Sequence, residues 1–165
     1  MSNAAQIYVP ETQQALRYFR HSATPNYFAA LDVPVVEGRA FEAGDRDGSS
    51  PVVTISASGA RRLWPTESAV GRRLRLGGAE GPEVTVVGVV ADIRHRDLRT
   101  TLATTEPDIY FPYEQRSTAD IAIAIQSSLG SEALVGQVRR ELARIDPAIP
   151  LARLVPMQQL VDQQT

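Results

Sequence analysis

Residues 83–94 read EVTVVGVVADIR. From Val84 to Ala91 five of eight positions are valine, and only Thr85 and Gly88 interrupt the run. β-Branched side chains are stiff at χ1 and suit a pleated surface. A run this short, set off by Gly81-Pro82 and ended by Asp92, predicts a strand buried on both faces. A slip of one residue changes the polarity of such a strand little, so its neighbours must fix its register. Gly88 in mid-strand predicts a bulge or a close approach by another backbone.

Working outward, Leu74 and Leu76 alternate with Arg73 and Arg75, which predicts a half-exposed strand joined to the valine strand by a hairpin across residues 77–82. Val52-Val53-Thr54-Ile55 is a second strong strand. Ser56-Ala57-Ser58 can cap a helix carrying Ala60, Leu63 and Trp64, and Pro65 ends it because the residue before proline avoids helical dihedrals. Nearer the start, Leu16 and Tyr18 share one face of a strand. Thr24 as N-cap and Pro25 in the first turn open a short helix with Tyr27, Phe28 and Leu31 on its apolar side. Residues 33–36 are extended, and Pro34 argues for an edge position. Residues 42–51 read as a mobile polar loop.

Downstream, Asp108-Ile109-Tyr110-Phe111 is extended and closed by Pro112. Ile121, Ile123 and Ile125 alternate with alanines, as in a strand. Ser131 opens the best helix, with Leu134, Val135, Val138, Leu142 and Ile145 at helical spacing and Arg139, Arg140 and Arg144 elsewhere on the wheel. Residues 151–155 form a closing strand. Strands and short helices mix without regular βαβ alternation, which favours α+β. Residues 121–155 form a strand–helix–strand unit suited to a crossover between parallel strands.

The 165 residues suit one domain or two small lobes, and 43% hydrophobic with 22% charged content is ordinary for a globular chain. A net charge of −2 gives no electrostatic case for nucleic acid. The lack of cysteine excludes disulfides, thiol catalysis and cysteine-ligated zinc. No run reaches the roughly 18 apolar residues of a membrane span. The first four residues, Met1 to Ala4, read as a leader carried over from expression, and the chain reads as a piece of something larger.

No phosphate-binding loop, dinucleotide fingerprint or nucleophile elbow is present. His21 and His95 share no metal-binding spacing, and Asp45-Arg46-Asp47-Gly48 matches a calcium loop only in part. No metal, cofactor or catalytic residue is therefore assigned. The densest polar cluster is Asp92, Arg94, His95, Arg96 and Asp97. Three arginines around His95 favour a solvated or partner-facing loop over a general base, since positive neighbours lower its pKa. An enzyme would need Asp92 and His95 within hydrogen-bond reach in a cleft. A sensor domain would need a pocket walled by aromatic groups such as Tyr110 or Trp64. Trp64 itself reads as a core anchor.

Several pieces, in order, resemble the periplasmic core domain of MacB-like permeases of the FtsX group, especially the longer permeases of acidobacteria. They are Thr24-Pro25-Asn26-Tyr27-Phe28, Glu37-Gly38-Arg39-Ala40-Phe41 with Asp45, and Pro51-Val52-Val53-Thr54-Ile55. Ala60-Arg61-Arg62-Leu63-Trp64-Pro65, Val70-Gly71-Arg72-Arg73-Leu74, Val86-Val87-Gly88-Val89-Val90-Ala91-Asp92-Ile93-Arg94 and Ile109-Tyr110-Phe111-Pro112-Tyr113-Glu114-Gln115 continue them, and Asp146-Pro147-Ala148-Ile149-Pro150 with Met157-Gln158-Gln159-Leu160-Val161 completes the set. Ser56-Ala57-Ser58 departs from the asparagine and glutamate expected there, and the domain's first strand and helix are expected to be missing.

The resemblance implies an α+β domain of two lobes. A porter-like, split βαβ lobe would use residues 1–23 and 106–165, and a lobe of short strands and helices would be inserted at 24–105. Such domains lie on the periplasmic side of the inner membrane and carry no catalytic residues. The implied partners are the transmembrane helices of the same permease, a cytoplasmic ATP-binding subunit acting indirectly, and a second permease copy or a periplasmic adaptor. The implied role is coupling of ATP hydrolysis to export or mechanical signalling, with an extracytoplasmic small-molecule or peptide sensor as the alternative. Arg94, His95, Arg96, Arg99, Arg139, Arg140 and Arg144 are the expected partner contacts.

Overall fold

The computed structural model describes residues 4–93, 106–116, 123–148 and 155. They divide into two compact units, one running up to residue 124 and the other from 125 on. The first is strand-rich. It contains β1 (Ala4–Val9), β2 (Gln14–Ala23), α1 (Tyr27–Ala30), β3 (Val35–Gly38), β4 (Val52–Ser56), α2 (Ala57–Leu63), β5 (Arg73–Leu76), β6 (Glu83–Val90) and β7 (Asp108–Pro112). The second contains α3 (Ser131–Ile145).

The seven strands form one sheet in the order β3-β6-β4-β7-β2-β1-β5, and β5 also pairs with β6. That last pairing closes six of them into a barrel. The valine strand β6 is where the barrel closes. Along one edge it runs parallel to β4 from Thr85 to Val90. Its other edge is shared: β5 takes residues 83–85 and β3 takes residues 88–90, both antiparallel. The expected hairpin and the expected edge strand are therefore the two halves of one ladder.

The inner face of the barrel follows from period-2 alternation. Ile7 and Val9, Tyr18, Val53 and Ile55, Leu74, Val84 and Val86, and Ile109 and Phe111 come from the six closing strands into one buried cluster. Between Val53 and Thr54 the register against β6 slips by one residue, opposite Val87. This bulge re-phases β6, so Val86 and Val89 join the inner cluster while Val87 and Val90 join an outer one. Burial on both faces is thus achieved by a bulge within a half-exposed pattern. α1 and residues 39–41 cover the outer face, where the Phe28 ring meets Tyr110 edge-on at 5.0 Å and Phe41 at 6.1 Å.

Several local expectations change. Ala4, set aside as leader sequence, pairs with Phe19 at the start of β1. α1 begins at Tyr27 with Asn26 as N-cap, and Thr24 instead contributes its carbonyl to the Tyr27 N–H at 3.0 Å. Ser56 does cap α2, its Oγ accepting from the Gly59 N–H at 3.3 Å. Residues 123–127 form no strand. Ile123 is 71% exposed there, and alternation needs a hydrogen-bonded neighbour to become a strand. The rest of that expected strand, and all of the closing strand but Val155, lie outside the described residues. β7 pairs with β2 on one side and with β4 on the other, so hydrogen bonds tie the segment before 24 and the segment after 105 to the segment between them.

The 42–51 loop is anchored. Asp45 is buried and takes both Arg39 guanidinium nitrogens, at 2.7 and 3.0 Å, and the Glu42 N–H at 2.8 Å. The Arg39 hydrogen bond, with help from the Glu42 amide, holds the Asp45 carboxyl below its usual pKa. A depressed carboxylate contributes stability that is present above its unfolded pKa, about 3.9, and lost as pH falls through its folded value. Arg39 is partly exposed, which discounts the pair. Asp45→Asn is expected to cost about 1–2 kcal/mol at pH 7. Its penalty should shrink on acidification below about pH 4. Urea melts of both proteins at pH 7 and pH 3 check this; an equal penalty at both values would contradict it.

Candidate functional site

The polar cluster after β6 was the first sequence candidate. Of it, Asp92 is described and has a structural role. Its Oδ1 accepts from the Ser58 N–H at 2.9 Å, in the first turn of α2, and Arg61 approaches its other oxygen at 3.5 Å. A carboxylate at a helix N-terminus satisfies an orphan donor and favours the helix dipole. Arg94, His95, Arg96 and Arg99 lie outside the described residues.

The second candidate is the basic side of α3. Arg139, Arg140 and Arg144 are all exposed. Arg144 pairs with Glu141 at 3.1 Å, one turn away. Among the described residues Arg139 and Arg140 form no ion pair. Leu134, Val135, Val138 and Leu142 are half-buried, whereas Ile145, expected on the apolar face, is 75% exposed at the helix end.

One charged constellation was not foreseen. His21 Nε2 lies 2.7 Å from Asp108 Oδ1, and the imidazole stacks on Tyr110 at 5.0 Å. Parallel pairing of β2 with β7 sets Phe19 against Asp108 and His21 against Tyr110, which brings the two groups to one face. They are 87 positions apart in sequence, and no local pattern marks them. Tyr27 packs nearby from α1, its hydroxyl pKa raised by burial and by the Asp108 charge. Ser56 Oγ accepts from the Asp108 N–H at 3.3 Å, but it is fully buried and already caps α2. The dyad thus joins β2 to β7. Among the described residues no group of three or more His, Cys, Asp or Glu side chains could hold a metal ion. None of their helices is long and apolar enough to cross a membrane.

The barrel has solved counterparts. The periplasmic region of MacB from Actinobacillus actinomycetemcomitans superposes with a TM-score of 0.60 at 17% identity, over 86% of this chain and 63% of that one. A permease-protein domain from Porphyromonas gingivalis gives 0.52 at 15% identity, over 86% of this chain and 60% of that one. At these identities the likeness is one of fold, and this chain spans about three-fifths of the length of each. None of the curated proteins compared with the chain matches it. The model of the MacB-like periplasmic core domain matches residues 2–145. The chain belongs to that family of permease domains.

Proposed function

We propose that this chain is a non-catalytic extracytoplasmic domain of an ABC permease, which passes on motion driven by ATP hydrolysis in a cytoplasmic subunit. The family match across residues 2–145 carries this reading. The division near residue 124 supports a porter-like second lobe built around α3, with rigid lobes moving by hinge or shear. In this reading Arg139, Arg140 and Arg144 face a partner, either a second permease copy or a periplasmic adaptor. The basic loop carrying Arg94, His95, Arg96 and Arg99 is a further contact. The domain lies on the outer side of the inner membrane, next to the transmembrane helices of its own permease.

These 165 residues hold no cysteine, so a thiol introduced among them reports alone once any cysteine elsewhere in the permease has been replaced. Arg140→Cys in the full-length permease is expected to react with a membrane-impermeant maleimide in cells whose inner membrane is intact. A bulky adduct should then lower export while ATP hydrolysis persists. Labelling only after lysis would refute the location, and unchanged export with a saturated adduct would refute the contact.

A further inference from the structure

The two ends of the barrel are built differently. Where β4 and β6 finish, α2, Trp64 and the β1–β2 turn carrying Glu11 cover the end. Where they begin, a cleft of about 220 Å³ remains, between residues 46–52, the β5–β6 hairpin and the segment after β7. Its floor is apolar and belongs to the core: Phe111 is 2% exposed, Val84 4% and Val52 7%, with Leu76, Pro51 and Pro82 beside them.

One wall is preorganised. Gln115 Oε1 accepts from the Val52 N–H at 3.2 Å, while its Nε2 donates to Ser49 Oγ at 2.9 Å and the Ser50 carbonyl at 3.0 Å. Three of the four hydrogen bonds that amide can make are spent on shaping the cleft, so little of this wall is left to order on binding. The rim is charged. Arg116 holds its guanidinium 5.3 Å above the Phe111 ring, a cation–π contact. Arg46 also lines the cleft. Among the described residues neither arginine forms an ion pair. Two carboxylates also reach the rim. Glu83 is engaged by Arg73 at 3.2 Å and Arg75 at 3.8 Å, and Asp47 accepts from the Gly48 N–H at 3.0 Å. Among the described residues, the cleft is therefore lined by two guanidiniums without an ion pair and one carboxylate without one, around an apolar floor.

We infer that this cleft binds a small amphiphilic carboxylate, with its hydrocarbon part on Phe111, Val84 and Leu76 and its carboxylate between Arg116 and Arg46. Planar guanidinium groups match a carboxylate in fork geometry, and burial of a short alkyl chain adds roughly 0.8 kcal/mol per methylene. The volume of about 220 Å³ suits a medium-length chain of up to about eight carbons and excludes a long acyl tail. This site is independent of the coupling role.

The probe is octanoate, titrated into the isotopically labelled 165-residue protein while amide shifts are followed, with octylamine and acetate as controls. The expected result is saturable shifts confined to residues 46–52, 82–84 and 111–116 with octanoate, and none with octylamine or acetate. Arg116→Gln and Arg46→Gln, both at exposed positions, should each weaken octanoate binding about tenfold, with the melting temperature kept. Equal response to octylamine would overturn the charge assignment. No saturation with octanoate, or shifts scattered over the barrel, would overturn the site.

Discussion

Gly88→Ala is expected to destabilise the protein by about 3 kcal/mol, at the upper end of overpacking effects. A Cβ at Gly88 would stand 2.0 Å from the Arg39 carbonyl oxygen and 3.0 Å from its carbon. Both are backbone atoms, so no rotamer change can clear them. Nor can Arg39 back away freely, because its N–H donates to the Val87 carbonyl at 3.0 Å. The crossing is tight from the other side too: Gly38 has φ +72°, and a Cβ there would meet the Val87 carbonyl oxygen at 2.3 Å. Chains of this size lose about 2–4 °C of Tm per kcal/mol, which predicts a fall of roughly 6–12 °C. Gly136→Ala is the control. It lies inside α3 with nothing within 4 Å of the added atom, so it should stabilise by about 0.5–1 kcal/mol. Thermal melts followed by circular dichroism decide the matter. A Gly88→Ala protein that melts with the wild type would mean that β3 and β6 do not cross as described.

The same glycine marks what could be seen in the sequence. Its place inside a valine run called for either a bulge or a close backbone approach, and both occur within one residue of it. The β5–β6 hairpin, the Ser56 cap and the Trp64 anchor were equally legible, because each depends on residues a few positions apart. Barrel closure was not. It requires β5 to pair with β1 as well as β6, and Ile7 lies opposite Leu76 across nearly 70 residues of intervening chain. The anchored loop was misjudged for a related reason. Asp45 looked like one acidic group in a polar stretch, and its burial follows from Arg39 being fixed by the β3–β6 crossing. The His21–Asp108 pair left no local signature at all. The alternating isoleucines misled in the opposite direction, since a period-2 pattern states which face a strand would bury and not whether a partner strand stands beside it.

The family resemblance reached further than the local signals because it rested on the order of many weak pieces. It fixed the class of domain. β2 and β7 are distant in sequence and flank the stretch assigned to an insertion, but their parallel pairing makes them part of the barrel wall. For the proposed coupling role this has a mechanical consequence. The strands on either side of residues 24–105 are joined to each other and to β4, so motion entering this unit is transmitted through a closed ladder. A closed ladder resists shear better than an open sheet, because no edge strand can slide away alone.

Trp64→Ala should be the most damaging single truncation at the covered end of the barrel, at about 3–5 kcal/mol. Trp64 is 6% exposed and packs into the inner cluster with Leu63 and Ala69. Its indole N–H also donates to Glu11 Oε2 at 2.8 Å, which ties the β1–β2 turn to the end of α2. Glu11 in turn accepts from Arg72 at 2.9 Å, and Arg72 pairs with Glu67. That Arg72 hydrogen bond, assisted by the indole, holds the Glu11 carboxyl below its usual range. The network and the packing can be separated. Trp64→Phe keeps a six-membered ring and loses the pyrrole part with its N–H, so it should cost about 1 kcal/mol for the hydrogen bond plus a cavity term smaller than that of alanine. Glu11 is partly exposed and can turn to water, which limits its loss. The tryptophan is the only one in the chain, so the melts should be read by far-ultraviolet circular dichroism. If Trp64→Phe proved as costly as Trp64→Ala, the hydrogen bond to the turn would be the main contribution and the packing secondary. If both variants melted near the wild type, the end of the barrel would not be closed by this residue, and the contrast with the cleft at the opposite end would fail with it.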